Sequence, residues 1–305
     1  MIEVSNLTKV FGTHLAVDSI SFEARPGEVV GILGPNGAGK TTTMRMLTGF
    51  MPPTSGEAKV AGFDIFRDSL EVRRHVGYLP ETVPVYPDMT VYGYIKFWAE
   101  LRGMRRARRR VEEVIEQVGL QDRRRSLIRN LSKGMRQRLG LAQAIVHNPD
   151  VIILDEPTIG IDPQQVIEVR ESVRALGENH TVLFSTHILS EAEQVCDRVL
   201  IIHQGRIVAE GAPANLRSKL QPHPRLYVVI GGTTPENALQ LLRQIDGVES
   251  VIPQGEGFIL QTQTGQDIRA AVSAHVTHSG CQLLELRPVA MTLEDIFLDI
   301  VGRPH

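Results

Sequence analysis

Apolar and polar residues alternate with period two over residues 2–7 and 19–24, which predicts two strands with one buried face. Residues Val29–Leu33 are apolar throughout. They lie between Pro26-Gly27-Glu28 and a glycine-rich stretch, so they predict a strand buried on both faces. From Thr41 the period becomes helical through Met44, Met46 and Leu47, until Gly49 and Pro52-Pro53 close the helix. Residues 84–130 are mostly helical in pattern, with Tyr92, Ile95, Phe97, Trp98 and Leu101, then Val111, Val114, Ile115 and Val118. This reads as an all-helical insertion, about 84–147, between two α/β halves.

The strand and helix rhythm returns at 151–154, followed by a helix from 163 to about 176, a strand at 181–185, a helix at about 189–196, and strands at 199–203 and 206–211. Asp162-Pro163 supplies an N-cap and a proline at the first helical position. Such alternation predicts parallel βαβ units. A polar, stiff stretch at 218–224 marks a boundary. It separates a domain over residues 1–217 from a smaller one over 225–305, for which strand 226–230, helix 235–245, strands 248–253 and 258–263, helix 266–279 and strand 282–286 predict a βαββαβ, ferredoxin-like layout. An amphipathic helix at 292–301 carries Ile296, Phe297, Ile300 and Val301 as its apolar stripe.

With 305 residues, 42% hydrophobic, 22% charged and a net charge of −2, the chain has the composition of a soluble globular protein with no bulk attraction to nucleic acid. It has no apolar run long enough to span a membrane, and residues 1–11 lack the plan of a secretory signal, so the chain is expected to stay in the cytosol. Cys196 and Cys281 have no metal-ligand spacing and read as ordinary thiols of a reducing compartment. His147, His203, His275 and His278 likewise have no partner spacing for a metal. The arginines at 105–106, 108–110 and 123–125 read as a solvated helix face partnered by Glu112, Glu113 and Glu116 in preference to a lipid-headgroup contact.

Chemistry concentrates in two places. Gly34-Pro35-Asn36-Gly37-Ala38-Gly39-Lys40-Thr41 matches G-x-x-x-x-G-K-[ST] between an apolar strand and a helix, the context that a phosphate-binding loop requires. Its glycines let successive amides face an anion at a helix N-terminus, Lys40 adds a full charge, Thr42 follows in the first turn, and Thr41 is placed to ligate Mg²⁺. A glycine-rich turn with an incidental lysine fits that context poorly. The second place is the strand 151–154, which runs straight into Asp155 and Glu156. Two adjacent carboxylates at a buried strand's end divide the work: Asp155 to hold Mg²⁺, Glu156 to orient and deprotonate an attacking water.

Leu131-Ser132-Lys133-Gly134-Met135-Arg136-Gln137-Arg138 lies upstream of that strand. It resembles the signature of the ATP-binding cassette (ABC) ATPases, and the remaining landmarks of that family occur in order: Phe11, the loop 34–41, Gly77-Tyr78-Leu79-Pro80-Glu81, the signature, Asp155-Glu156, Gly160-Ile161-Asp162, and Ser185-Thr186-His187. The resemblance covers residues 1 to about 215. It implies an α/β phosphate-loop NTPase core with antiparallel β and helical subdomains, beside the C-terminal ferredoxin-like α+β domain. It implies ATP and Mg²⁺ as ligands, Phe11 stacking on adenine, Glu81 joining Thr41 and Asp155 at the metal, and His187 as the switch histidine beside catalytic Glu156. Ser132, Lys133, Gly134 and Met135 would reach the ATP of an opposite subunit, with Asp162 in the D-loop between the subunits. The implied partners are therefore a second cassette, as homodimer or similar pair, and a separate integral-membrane permease at the cytoplasmic face, with no nucleic acid.

The sequence departs from the family in two motifs. Lys133 and Met135 stand where a second glycine and a glutamine are common, and Lys133 would replace the lost amide in part by charge. Glu81 stands where a glutamine is usual, which sharpens the expected dependence on Mg²⁺. Both variants, and Thr292-Leu293-Glu294-Asp295-Ile296-Phe297, are similar to bacterial exporter ATPases of the drug, sodium and gliding-motility kind. Two competing readings are a soluble cassette working on ribosomes or DNA, and a small-molecule kinase; the kinase would leave the signature and His187 idle.

Overall fold

The computed structural model describes residues 1–220, 225–262 and 267–289. Its chain divides into two compact units, Met1–Pro213 and Ala214–His305. In the first unit, β1 (Ile2–Phe11), β2 (His14–Ala24), β4 (Ser55–Val60) and β5 (Phe63–Asp64) form an antiparallel sheet in the order β2-β1-β4-β5. A second sheet holds β3 (Val29–Leu33), β6 (Val76–Leu79), β7 (Val151–Leu154), β8 (Thr181–Thr186), β9 (Arg198–His203) and β10 (Arg206–Gly211), in the order β10-β9-β3-β8-β7-β6. Only its edge strand β10 is antiparallel to its neighbour. Ile2, Leu7, Val30, Ile32, Met44, Leu47, Ile153 and Leu200 share one core between the two sheets and the helix α1 (Lys40–Leu47). The β3 strand is buried at every position, which is why its sequence does not alternate.

The two opening strands run longer than the alternation predicts. Register shifts between Val4, Leu7, Lys9 and Val10 interrupt the pairing of β1 with β2, and each bulge breaks the two-residue period. The helix α2 (Ser69–His75) and the strands β4 to β6 lie in a stretch whose pattern gave little warning; along β4 only Ala58 and Val60 are buried. Next come α3 (Val91–Leu101), α4 (Arg108–Gln117) and α5 (Lys133–Ile145), which make up the helical insertion. Thr90 caps α3 by accepting from the Gly93 amide at 3.0 Å. The buried face of α3 is Val91, Tyr94, Ile95 and Ala99, whereas Phe97 and Leu101, expected on the apolar face, are exposed. The α6 helix (Pro163–Gly177) and α7 (Leu189–Val195) flank β8, and α8 (Pro213–Leu220) leads out of the first unit.

The second unit contains β11 (Arg225–Gly231), α9 (Pro235–Arg243), β12 (Val248–Gln254), β13 (Gly257–Thr262), α10 (Arg269–His278) and β14 (Gln282–Val289). Its antiparallel sheet has the order β12-β13-β11-β14, and Leu226, Val228, Leu260, Leu242 and Val272 close a core of its own. The helix expected at 292–301 lies outside the described residues.

Candidate active site

The parallel sheet brings the ends of β3, β7 and β8 side by side, since β8 pairs with both of the others. The loop after β3 turns tightly into α1. Gly39 caps that helix at φ 107°, and a Cβ on Gly34 would meet the Ile202 carbonyl at 2.3 Å, so only glycine fits either place. Pro35, Asn36 and Gly37 are exposed, Ala38 is buried, and Thr42 is partly buried. Lys40 is 6% exposed. Its Nζ donates to the Gly34 carbonyl at 2.7 Å and the Pro35 carbonyl at 3.2 Å, and stands 3.2 Å from Glu156 Oε1. Glu156 Oε1 makes no aligned hydrogen bond, so its contact with the ammonium is electrostatic in character.

Around the carboxylates the contacts are dense. Asp155 is fully buried and its Oδ1 accepts from Thr41 Oγ1 at 3.2 Å and Ser185 Oγ at 2.7 Å, while its buried Oδ2 has no hydrogen-bond partner among the described residues. Burial pushes the Asp155 carboxyl above the ordinary carboxylate range, against the pull of the Ser185 and Thr41 hydroxyls. The Glu156 amide donates to Ser185 Oγ at 2.9 Å, and the residue adopts φ 48°, a left-handed conformation that a side chain rarely takes. From there its Oε2 reaches His187 Nδ1 at 2.8 Å, and His187 itself is partly open to solvent. One buried anion, one strained carboxylate, a lysine and a histidine thus converge where the phosphate loop begins its helix.

The other expected residues have different surroundings. Phe11 ends β1, 47% exposed, with Lys9 Nζ 5.2 Å from its ring centroid. Glu81 is exposed, two residues beyond the strand that pairs with β7, and has no ion pair among the described residues. Ser132 caps α5, accepting from the Met135 amide at 3.2 Å, and Asp162 caps α6, accepting from the Gln165 amide at 3.0 Å. No hydrogen bond or ion pair among the described residues joins 132–135 to the loop 34–41. Ser185, whose hydroxyl ties Asp155 to the Glu156 backbone, was quoted in a motif but given no role by sequence reasoning. Its signal was position alone, two residues before His187 at the end of a buried strand.

A strand, a phosphate loop and a helix, with a buried aspartate and a following glutamate at the end of the next strand but one in the same sheet, define a phosphate-loop nucleotide hydrolase. The ABC transporter family model matches residues 17–159. The chain is 33% identical over 308 residues to the linearmycin resistance ATP-binding protein LnrL of Bacillus subtilis (strain 168), covering 99% of each. It is 41% identical over 308 residues to the Nod factor export ATP-binding protein I of Paraburkholderia xenovorans (strain LB400), covering 99% of this chain and 97% of that one. A dimeric structure of MJ0796, a bacterial ABC transporter cassette, covers 70% of this chain and 99% of its own, at 25% identity and a TM-score of 0.64. The chain belongs to the ATP-binding subunits of ABC transporters and is an ATPase. Among the described residues no helix is long and apolar enough to cross a membrane.

Proposed function

We propose that two copies of this chain, or this chain and a similar cassette, close on ATP head to tail and drive a separate membrane permease that exports its substrate. The observation that carries the reading is the cluster of Lys40, Asp155, Glu156 and His187, in which a glutamate held at φ 48° lies within reach of both a lysine and a histidine. Glu156 takes the proton of the attacking water, His187 steadies that carboxylate, and Lys40 exchanges its contact with Glu156 for one with the terminal phosphate. The unpartnered Oδ2 of Asp155 and the Thr41 hydroxyl beside Oδ1 are hard oxygen donors that fit Mg²⁺, and Glu81 would complete the set from the adjacent strand end. Bound there, the ion would neutralise charge on the phosphates.

The closing signature comes from the opposite subunit: among the described residues no hydrogen bond or ion pair joins 132–135 to their own phosphate loop, and the dimeric bacterial cassette supports such pairing. Phe11, half exposed at a strand end, offers a face for adenine. Export, and a place at the cytoplasmic face of a membrane through the permease, are supported by the Nod factor export relative. On this reading residues 1–217 are the motor and 225–305 an accessory domain. Phosphate release by the purified chain, measured with and without Mg²⁺ and compared with Lys40→Ala, tests the assignment. Equal activity in the two proteins would refute it.

A further inference from the structure

Two residues beyond Glu156 and one before His187, a pair of hydroxyls meets on a single buried carboxylate. Thr158 Oγ1 donates to Glu191 Oε2 at 2.8 Å and Thr186 Oγ1 donates to the same oxygen at 2.7 Å. Arg170 Nη2 of α6 stands 3.4 Å from the other oxygen, Oε1, and its Nη1 donates to Gln194 Oε1 at 2.8 Å. Glu191 is 2% exposed, and Thr158 and Thr186 are buried with it.

A carboxylate in such a place carries a desolvation cost that an apolar side chain would avoid, so its retention needs a purpose beyond packing. The hydroxyls supply one. Hydrogen bonds to a carboxylate are the strong kind, and here both converge on one oxygen, Thr158 from the loop after β7 and Thr186 from the last residue of β8. The loop after β7 carries Glu156; the loop after β8 carries His187. At their outer ends these loops touch through the Glu156 to His187 contact, which is partly open to solvent. Underneath, Glu191 joins them in a dry setting. Glu156 also needs external constraint, because a non-glycine residue at φ 48° is strained and persists only where its surroundings over-determine it. The Ser185 hydroxyl holds its amide, and Thr158, two residues on, is held by Glu191.

We infer that Glu191 is a positioning residue for hydrolysis: with Arg170 behind it, its carboxylate fixes the spacing of the two loops so that Glu156 and His187 meet. The inference rests on the assignment of Glu156 and His187 to the chemistry. It predicts a loss in maximal rate with no loss in nucleotide binding, since Lys40, Thr41 and Phe11 lie on other segments.

Glu191→Gln keeps the shape but removes the charge: with its amide nitrogen towards Arg170 the contact becomes donor against donor, and flipped it must donate to the two threonine hydroxyls instead of accepting from them. Steady-state phosphate release should show kcat lowered about tenfold and KM changed by less than about twofold, as expected for misplaced rather than missing groups. In a His187→Ala background the same substitution should lower kcat by less than about twofold further, because residues acting through one contact are non-additive. A folded Glu191→Gln protein with wild-type kcat, or losses that multiply in the double variant, would overturn the inference. Should that variant not fold, Thr158→Val removes one of the two donors without changing charge; it should give the same split between kcat and KM, and a wild-type kcat there would be equally fatal. Glu156→Gln, measured alongside, separates the two levels: if it turns over normally the site assignment has failed, whereas an inactive Glu156→Gln beside fully active Glu191 and Thr158 variants condemns the inference alone.

Discussion

Replacing Glu156 by glutamine removes a charge and almost no volume, which makes it the most direct probe of the site. Three contacts respond differently. The backbone bond to Ser185 Oγ does not involve the side chain, so the φ 48° conformation is retained. The contact with His187 Nδ1 at 2.8 Å survives with an amide oxygen in place of the carboxylate. The ion pair with Lys40 Nζ at 3.2 Å does not survive, and the ammonium no longer has to leave a buried anion in order to meet a phosphate. ATP affinity should therefore be unchanged or somewhat tighter. Turnover should fall by about 10² to 10⁴, the usual share of a general base, which corresponds to about 3 to 5 kcal/mol of transition-state stabilisation. Two measurements read this. Phosphate release gives the rate, and sizing in Mg-ATP should show a trapped dimer, because binding without hydrolysis leaves the nucleotide in place. Turnover near the wild-type value would remove Glu156 from the base role, and a monomer in saturating Mg-ATP would break the link between ATP and pairing.

Lys40→Ala should fail earlier, at nucleotide binding or phosphate placement, and normal activity in that variant would refute the phosphate loop as the site. Phe11→Ala should raise KM with little change in kcat, and GTP should be accepted less well than ATP, since stacking is equal in ground and transition states; a fall in kcat alone would exclude the stacking role. Burial, with Arg102 and Arg110 nearby, pushes the His147 imidazole from 6.5 down to about 4, and its buried Nδ1 has no partner among the described residues for a second proton. The folded value lies below the unfolded one, so this stabilisation is complete above pH 6.5 and is lost as pH falls toward 4, by at most about 3 kcal/mol. Urea unfolding at pH 7 and 4.5 should show a smaller pH dependence in His147→Gln than in the wild type, and equal slopes would refute the cause. Truncation after Arg217 should leave a folded, ATP-binding first unit with altered pairing or transport; unaltered pairing and transport would rule out a contact role for the second.

Much of the parallel core was legible because its strands are buried on both faces and its loops carry chemistry. Val29–Leu33 and Val151–Leu154 stand as their apolar runs predict, and Asp162 caps α6 as Asp-Pro suggests. The antiparallel sheet was less legible. Asn6 and Ser19 both take positive φ, and each lies where β1 or β2 loses its alternation, so a single strand reads as a short one. In α3 the aromatic pattern misled for a different reason. Phe97 meets Tyr86 edge-on at 5.9 Å on an open surface, so hydrophobicity there reports an exposed aromatic cluster and not the core, whose contacts come from Val91, Tyr94, Ile95 and Ala99.

The site divides the same way. Residues that meet the nucleotide are spaced within short motifs, and a motif can be read along the chain. Residues that hold those motifs against each other are not, because their partners are set by the fold: Glu191 reads only as an acid in the first turn of a seven-residue helix until β7, β8 and α6 bring Thr158, Thr186 and Arg170 around it. Lys133 makes the point from the opposite side. Its charge in the signature suggested an ionic substitute for a missing amide, aimed at a phosphate. In the folded chain a Cβ on Gly160 would come within 2.1 Å of the Lys133 Nζ, and one on Gly134 within 1.5 Å of Gln165 Oε1. The signature thus lies beside its own subunit's D-loop and the first turn of α6, neighbours that its spacing along the chain does not show.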